Sequence, residues 1–197
     1  MALTGAMTAS PPSTRDKIMR AALECVAEDG FSAATTAAIA KRAGVAEGTL
    51  YRHFDSKDAL FVAVYSRIKE HVFDSVMAET DASGSVEDRF RQLWRGVWNA
   101  YRADPAAFVY GQRFGEYPLS RQDSRPIHDG FVRHISALIR DGQSGGEIRE
   151  ASASVLRAFF FPPMVSMLKQ AIAGHEWSQA ELDSAIDTAW DSWRRPR

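Results

Sequence analysis

Apolar residues recur along this chain at intervals of three and four and almost nowhere in strict alternation, so the pattern predicts helices throughout. The first begins at Ser13, after Pro11 and Pro12. Ser13 and Asp16 have the S-x-x-D form of a capping box, in which each side chain satisfies a backbone N–H that the helix leaves free. Ile18, Ala22, Cys25 and Val26 share its apolar face. Gly30 ends it, and Phe31 folds back as the contact that follows such an end. A short helix from Thr36 to Ala43 is capped by Thr35 and closed by Gly44, and a third runs from Glu47 to His53. Asp55 and Ser56 cap a long fourth helix carrying Leu60, Val64, Ile68 and Val72, before a small, polar break at 81–85.

Five further helical patterns follow, making about nine in an all-α chain. Phe90, Leu93, Trp94, Val97, Trp98 and Tyr101 form one wide apolar face, which ends before Pro105. Residues 106–116 make a short helix with Pro105 at its first position, where a missing N–H does no harm. After a polar loop at 118–125, Ile127, Phe131, Ile135, Leu138 and Ile139 mark another, ended by 142–146. Residues 151–173 read as helical but interrupted at Pro162-Pro163, with a kink or break expected near 159–163 that leaves the carbonyls of Ala158 and Phe159 unmet. Leu182, Ile186, Ala189, Trp190 and Trp193 form the last stripe.

The two short helices joined at Gly44 have the form of a helix-turn-helix unit, whose second helix enters the major groove of double-stranded DNA. Composition neither demands nor forbids such a partner: 24 basic residues face 25 acidic ones, for a net charge of −1. Positive charge for phosphates must therefore be arranged locally. The longest apolar run, 158–168, is too short for a membrane span and holds two prolines, so no membrane association is expected. Residues 1–12 lack the basic and apolar regions of a secretory leader and are expected to be a disordered tail. The single cysteine, Cys25, excludes an intramolecular disulfide and suits a reducing cytoplasm, as a small buried apolar residue. No nucleophile elbow, phosphate loop, dinucleotide fingerprint or H-E-x-x-H motif occurs, so neither an enzyme nor a cofactor is expected. His128 and His134 stand six apart on different helix faces and give no metal site.

The segment from Gly30 to Leu60 resembles the N-terminal domain of TetR-family regulators. The resemblance rests on Gly30-Phe31, Thr35-Thr36, Ile39-Ala40, Ala43-Gly44-Val45, Gly48-Thr49-Leu50-Tyr51, Phe54 and Ser56-Lys57 with Leu60. It implies a DNA contact set of Thr35, Thr36, Lys41, Arg42, Glu47, Gly48, Thr49, Tyr51, Arg52, His53 and Lys57, with Tyr51 and Lys57 at phosphates. Three residues depart from the family pattern. Ala46 replaces the frequent serine cap, at a cost of about 1 kcal/mol. Glu47 suits a helix N-terminus but repels phosphate unless it accepts from a cytosine amino group. Ala37 lacks a longer polar side chain.

The resemblance further implies a helix-turn-helix domain at 13–60 and a helical effector-binding and dimerisation domain at 61–197. Trp94, Trp98, Phe108, Phe131, His134, Phe159, Phe161 and Met164 are the expected lining of an effector chamber for a small apolar or aromatic molecule. Val165, Leu168, Ile172, Leu182, Ile186, Ala189, Trp190 and Trp193 are the expected homodimer interface; the last five form a stripe too apolar for solvent, and since some of them must pack inside the subunit the seam is expected to use only part of it. The expected function is a ligand-responsive repressor released from a palindromic operator by its effector. The alternative is a ligand- or protein-binding module of the same fold that has lost its hold on DNA.

Overall fold

The computed structural model describes residues 11–118 and 125–196, with the side chains of 125–129 also outside the described set. Most of the expected tail, most of the 118–125 loop, and the side chains of Ile127 and His128 therefore lie outside the described residues. The elements in order are α1 (Thr14–Asp29), α2 (Thr36–Ala43), α3 (Glu47–His53), α4 (Lys57–Glu79), α5 (Val86–Ala103), α6 (Pro105–Glu116), α7 (Arg125–Ser144), α8 (Ala153–Ala158), α9 (Phe161–Ile172) and α10 (Gln179–Trp193). Nothing among the described residues is a strand beyond one isolated antiparallel bridge, Ile148 with Arg194.

Helix starts follow from local chemistry. Ser13 and Asp16 complete the capping box of α1, and Thr35, Ser56 and Ser85 each accept a backbone N–H at the starts of α2, α4 and α5. Asp104 caps α6 with Pro105 inside its first turn. Ala46, with no polar side chain, leaves α3 without a side-chain cap. Gly44 ends α2 at φ +68°, a left-handed conformation that side chains resist, and its N–H closes onto the carbonyls of Ala40 and Lys41.

Of the two outcomes expected at the proline pair, a kink or a break, the structure shows the break. α8 stops at Ala158, Phe159 and Phe160 turn the chain, and α9 begins afresh at Phe161 with Pro162 and Pro163 in its first turn. There the missing N–H groups would have had no intrahelical acceptor, so the prolines break no bond. The interrupted helical stretch over 151–173 is thus two helices, which brings the described helices to ten.

α1, α2, α3 and the first turns of α4 form an N-terminal unit around Ile18, Ile39, Leu50, Phe54 and Leu60. α4 continues as the central strut, packed on α5, α6 and α7, while α10 and α9 lie against α5. The buried side chains form one cluster running from Ile18 to Trp193, so the core of the N-terminal unit continues into that of the body. A division at 60/61 falls inside α4, and the two parts share that helix.

Gly142 lets α7 approach its neighbours. A methyl group there would lie 2.5 Å from Ile148 Cδ1 and 2.9 Å from Val86 Cγ1, both on buried side chains. Gly142→Ala is expected to overpack this contact by about 1–3 kcal/mol, against a gain of about 1 from helix propensity. The denaturant midpoint should therefore fall, and a rise would show that Ile148 gives way freely.

Candidate functional site

The outer face of α3 carries Glu47, Gly48, Tyr51, Arg52 and His53, all exposed, while Leu50 anchors the inner face with no exposure. Tyr51 is 55% exposed, a large ring left in solvent on a helix only two turns long. A Cβ at Gly48 would meet nothing within 4 Å, so the glycine keeps the helix surface low towards whatever approaches it. Arg15 lies 4.6 Å from the centroid of the Phe54 ring, tying α1 to the residue that closes α3.

Several residues expected at DNA have partners within the protein. Thr35 Oγ1 accepts the Ala38 N–H at 3.1 Å, and Thr36 Oγ1 donates to Glu47 Oε1 at 2.5 Å. That bond holds the Glu47 carboxylate at the N-terminus of α3, where the helix dipole favours it. Arg42 is drawn to Glu28 of α1 as an ion pair, and Lys41 beside it is exposed. Thr49 is half-buried. Lys57 opens α4 with its ammonium 5.6 Å from the Phe61 ring centroid.

Behind this unit, α6 makes a dense set of contacts with it. Tyr110 Oη donates to the Phe61 carbonyl at 2.8 Å, with the phenol fully buried. Tyr117 Oη donates to Asp58 Oδ1 at 2.6 Å; burial and the neighbouring carboxylate push this phenol up to about 12, so it remains a donor at neutral pH. Arg113 reaches the Val26 carbonyl near the end of α1, and Asp104, the α6 cap, pairs with Arg20 of α1 at 2.6 Å. Phe31 stacks on Tyr117 with centroids 4.3 Å apart and meets Phe61 edge-on at 4.9 Å.

The other side of α6 faces a cavity of about 1010 Å³ between α4, α5, α6, α7 and α9, which α8 also reaches through Arg157. Phe108, Phe131, Phe161 and Met164, expected in the chamber from the sequence, line it. Trp94 and Trp98 do not; they are buried in the core of α5 with their rings stacked 6.2 Å apart. His134 stands edge-on to Phe73 outside the lining, and burial, with Arg89 nearby, holds its pKa below the ordinary histidine value. Phe159 lies in the turn between α8 and α9, 51% exposed and away from the cavity. Lining residues that sequence reasoning missed include Tyr65, Lys69, Tyr101, Gln112, Arg133 and Arg157. A signal was present for one of them: Lys69 interrupts the apolar stripe of α4, four residues after Tyr65 and four before Phe73.

The expected dimer stripe is turned inward. Ile186 and Trp193 have no exposure, and Leu182, Ala189 and Trp190 have 7%, 5% and 3%, all against their own chain. Trp193 Nε1 donates to the Leu156 carbonyl at 2.8 Å, and its ring meets Phe90 at 4.9 Å. Leu168 is buried on the cavity wall, and Val165 also lines it. Of the expected interface only Ile172, at 39%, is exposed; beyond Tyr51, Val155 and Phe159, each at 51%, are the other large apolar residues left in solvent among the described residues. Among the described residues no group of three or more His, Cys, Asp or Glu could hold a metal ion, and no helix is long and apolar enough to cross a membrane.

Comparison with known proteins bears on both halves of the molecule. Residues 18–64 match the model of bacterial regulatory proteins of the tetR family, and residues 85–193 match a tetracyclin repressor-like C-terminal domain. The chain belongs to the TetR family. This TetR-family transcriptional regulator is 31% identical over 145 residues to the nucleoid occlusion factor SlmA of Marinobacter nauticus, covering 73% of each chain. It is 25% identical over 194 residues to the transcriptional repressor AcnR of Corynebacterium efficiens, covering 94% of this chain and 95% of the relative. The fold is shared with FadR of Bacillus subtilis, solved in complex with stearoyl-CoA: TM-score 0.78 at 19% identity, over 89% of this chain and 97% of the other.

Proposed function

We propose that this regulator is a ligand-responsive repressor: a two-fold dimer that holds a palindromic operator through α3 and releases it when a small, largely apolar effector enters the cavity. The observation that carries the reading is the double engagement of α6. Phe108, Gly111, Gln112 and Phe114 face the cavity, while Tyr110, Arg113 and Tyr117 are bonded to α4 and α1 of the DNA-reading unit. A molecule that displaces α6 must therefore strain or break bonds to the helices that position α3. The full-length relative named as a repressor, and the FadR fold that accommodates an acyl-CoA, support the same reading. Phosphate contacts fall to Tyr51, Lys57 and the N-terminal turn of α2, base edges to Glu47, Thr49 and His53, and the positive field to Lys41, Arg42 and Arg52. Val155, Phe159 and Ile172 supply apolar area for the dimer seam. The protein acts in the cytoplasm, without catalysis.

Footprinting on a duplex selected from a random library tests this. The expected result is symmetric protection of two half-sites spaced by a whole number of helical turns of about 10–10.5 bp each. Light scattering at micromolar concentration is expected to give a dimer. A monomer protecting one asymmetric site would refute the two-fold reading.

A further inference from the structure

Three cationic side chains line the cavity, and they differ in their surroundings. Arg157 donates to Ser136 Oγ at 2.9 Å, and Arg133 is exposed and has a partner of its own. Lys69 is placed differently. It projects from the apolar stripe of α4, its Nζ is 3.3 Å from Tyr101 Oη, and it lies 5.4 Å and 6.0 Å from the ring centroids of Tyr65 and Tyr101. Both rings also line the cavity. Phenols are neutral at physiological pH, and burial raises that of Tyr65 further. Among the described residues no carboxylate forms an ion pair with Lys69; the acidic residues of the lining, Glu70 and Glu116, are both exposed. Burial works against the ammonium, while the two tyrosines beside it, which accept its hydrogen bonds, work for it, and the net direction is towards the charged form.

A cation partly withdrawn from water without a counter-ion is costly, and ring faces and phenol oxygens offset only part of that cost. An ammonium has three donors, and two phenols do not exhaust them. The wall that faces it across the cavity is largely apolar: Val97, Phe108, Phe114, Met164 and Leu168 are buried. The Lys69 ammonium, held between two rings opposite such a wall, matches one negative charge on an apolar body. A volume of about 1010 Å³ lies at the upper end of the roughly 300–1,000 Å³ range of small-molecule pockets, so the body has room to be long or polycyclic.

We propose that the effector is an amphiphilic monocarboxylate, its carboxylate seated at Lys69 between Tyr65 and Tyr101 and its apolar body lying along α5, α6 and α9. The assignment rests on the reading of this cavity as the effector chamber. A single ammonium neutralises a carboxylate but leaves one charge over on a phosphate monoester. The corresponding alcohol, or an ester or thioester of the same acid, offers Lys69 no charge at all.

Decanoate and 1-decanol, equal in chain length, serve as probes in titration calorimetry on the full chain at pH 7.5. Decanoate is expected to bind about tenfold or more tightly than the alcohol, the gain of a charge-assisted hydrogen bond inside a protein. This preference needs no variant and so does not depend on one folding. Lys69→Met, close in length and uncharged, is expected to abolish the preference by weakening decanoate while sparing decanol; Lys69→Arg is expected to retain it. Equal affinity for acid and alcohol, an unchanged preference in Lys69→Met, or binding of neither probe overturns the assignment. Operator release is read separately. If both probes release DNA equally, the chamber stands and the role of Lys69 falls. If decanoate binds through Lys69 without loosening DNA, the carboxylate site stands and the effector reading falls.

Discussion

Replacing Tyr51 and Lys57 together with alanine is expected to weaken operator binding by roughly 100-fold or more while leaving the fold intact. Hydrogen bonds to charged groups contribute about 1.5–3 kcal/mol each, and each 1.4 kcal/mol is tenfold. The stability side is small for different reasons at the two sites. Tyr51 is 55% exposed on α3, so its ring adds little to the core. Lys57 stands in the first turn of α4, where the positive end of the helix dipole disfavours a cation, so removing it relieves a repulsion. What it loses is contact with the Phe61 ring, at most about 0.5–1 kcal/mol. A lysine in that position is better explained by an anion outside the protein than by anything within it. Because phosphates carry no sequence information, affinity should fall alike on all duplexes, and the slope of log affinity against log salt should lose about one unit for Lys57. Fluorescence anisotropy on a selected duplex, with circular dichroism as the control for folding, measures both. Parental affinity in a folded double variant would remove these residues from the interface.

The N-terminal unit was legible because its signals are local. A serine three residues before an aspartate, a threonine before a short apolar stripe and a glycine after it each act through backbone groups one turn away. The structure accordingly shows the capping box at Ser13, the caps at Thr35 and Ser56, and the left-handed Gly44. The body was legible as helices but not as a site. Periodicity says which face of a helix is apolar and is silent about what covers it. Trp98 and Phe108 look alike in sequence; one is sealed in the core and the other borders a cavity, because the space enclosed by α4, α5, α6, α7 and α9 is set by all of them together. Lys69 gave a readable sign, a charge at helical spacing within an apolar stripe. Arg42 shows the converse limit: a basic residue in the expected place whose partner, Glu28, lies on another helix.

The same limit governs α10, and there it yields a large and discriminating effect. A stripe of Leu182, Ile186, Ala189, Trp190 and Trp193 reads identically whether it meets a second copy or its own chain. The structure buries it at home, with Trp193 wedged among Phe90, Phe160 and the end of α8. Trp193→Ala is therefore expected to lower stability by about 3–5 kcal/mol, through the lost ring, the cavity left behind and the lost hydrogen bond to the Leu156 carbonyl, which keeps only the Phe159 N–H. For a chain of this size that is a fall in melting temperature of roughly 6–20 °C, a large share of a total stability of about 5–15 kcal/mol. The milder Trp193→Phe keeps most of the ring and isolates the hydrogen bond, with an expected loss of about 1–3 kcal/mol. The decisive control is protein concentration. If Trp193 belonged to a dimer seam, its truncation would shift the monomer–dimer equilibrium, and the variant's loss would shrink as concentration rose. With the side chain in its own subunit's core, the drop in stability relative to the parent should be the same across a hundredfold range of concentration. The folded Trp193→Phe variant should also sediment as the parent does. A loss that disappears at high concentration, or a folded Trp193→Phe monomer beside a dimeric parent, would return α10 to the interface.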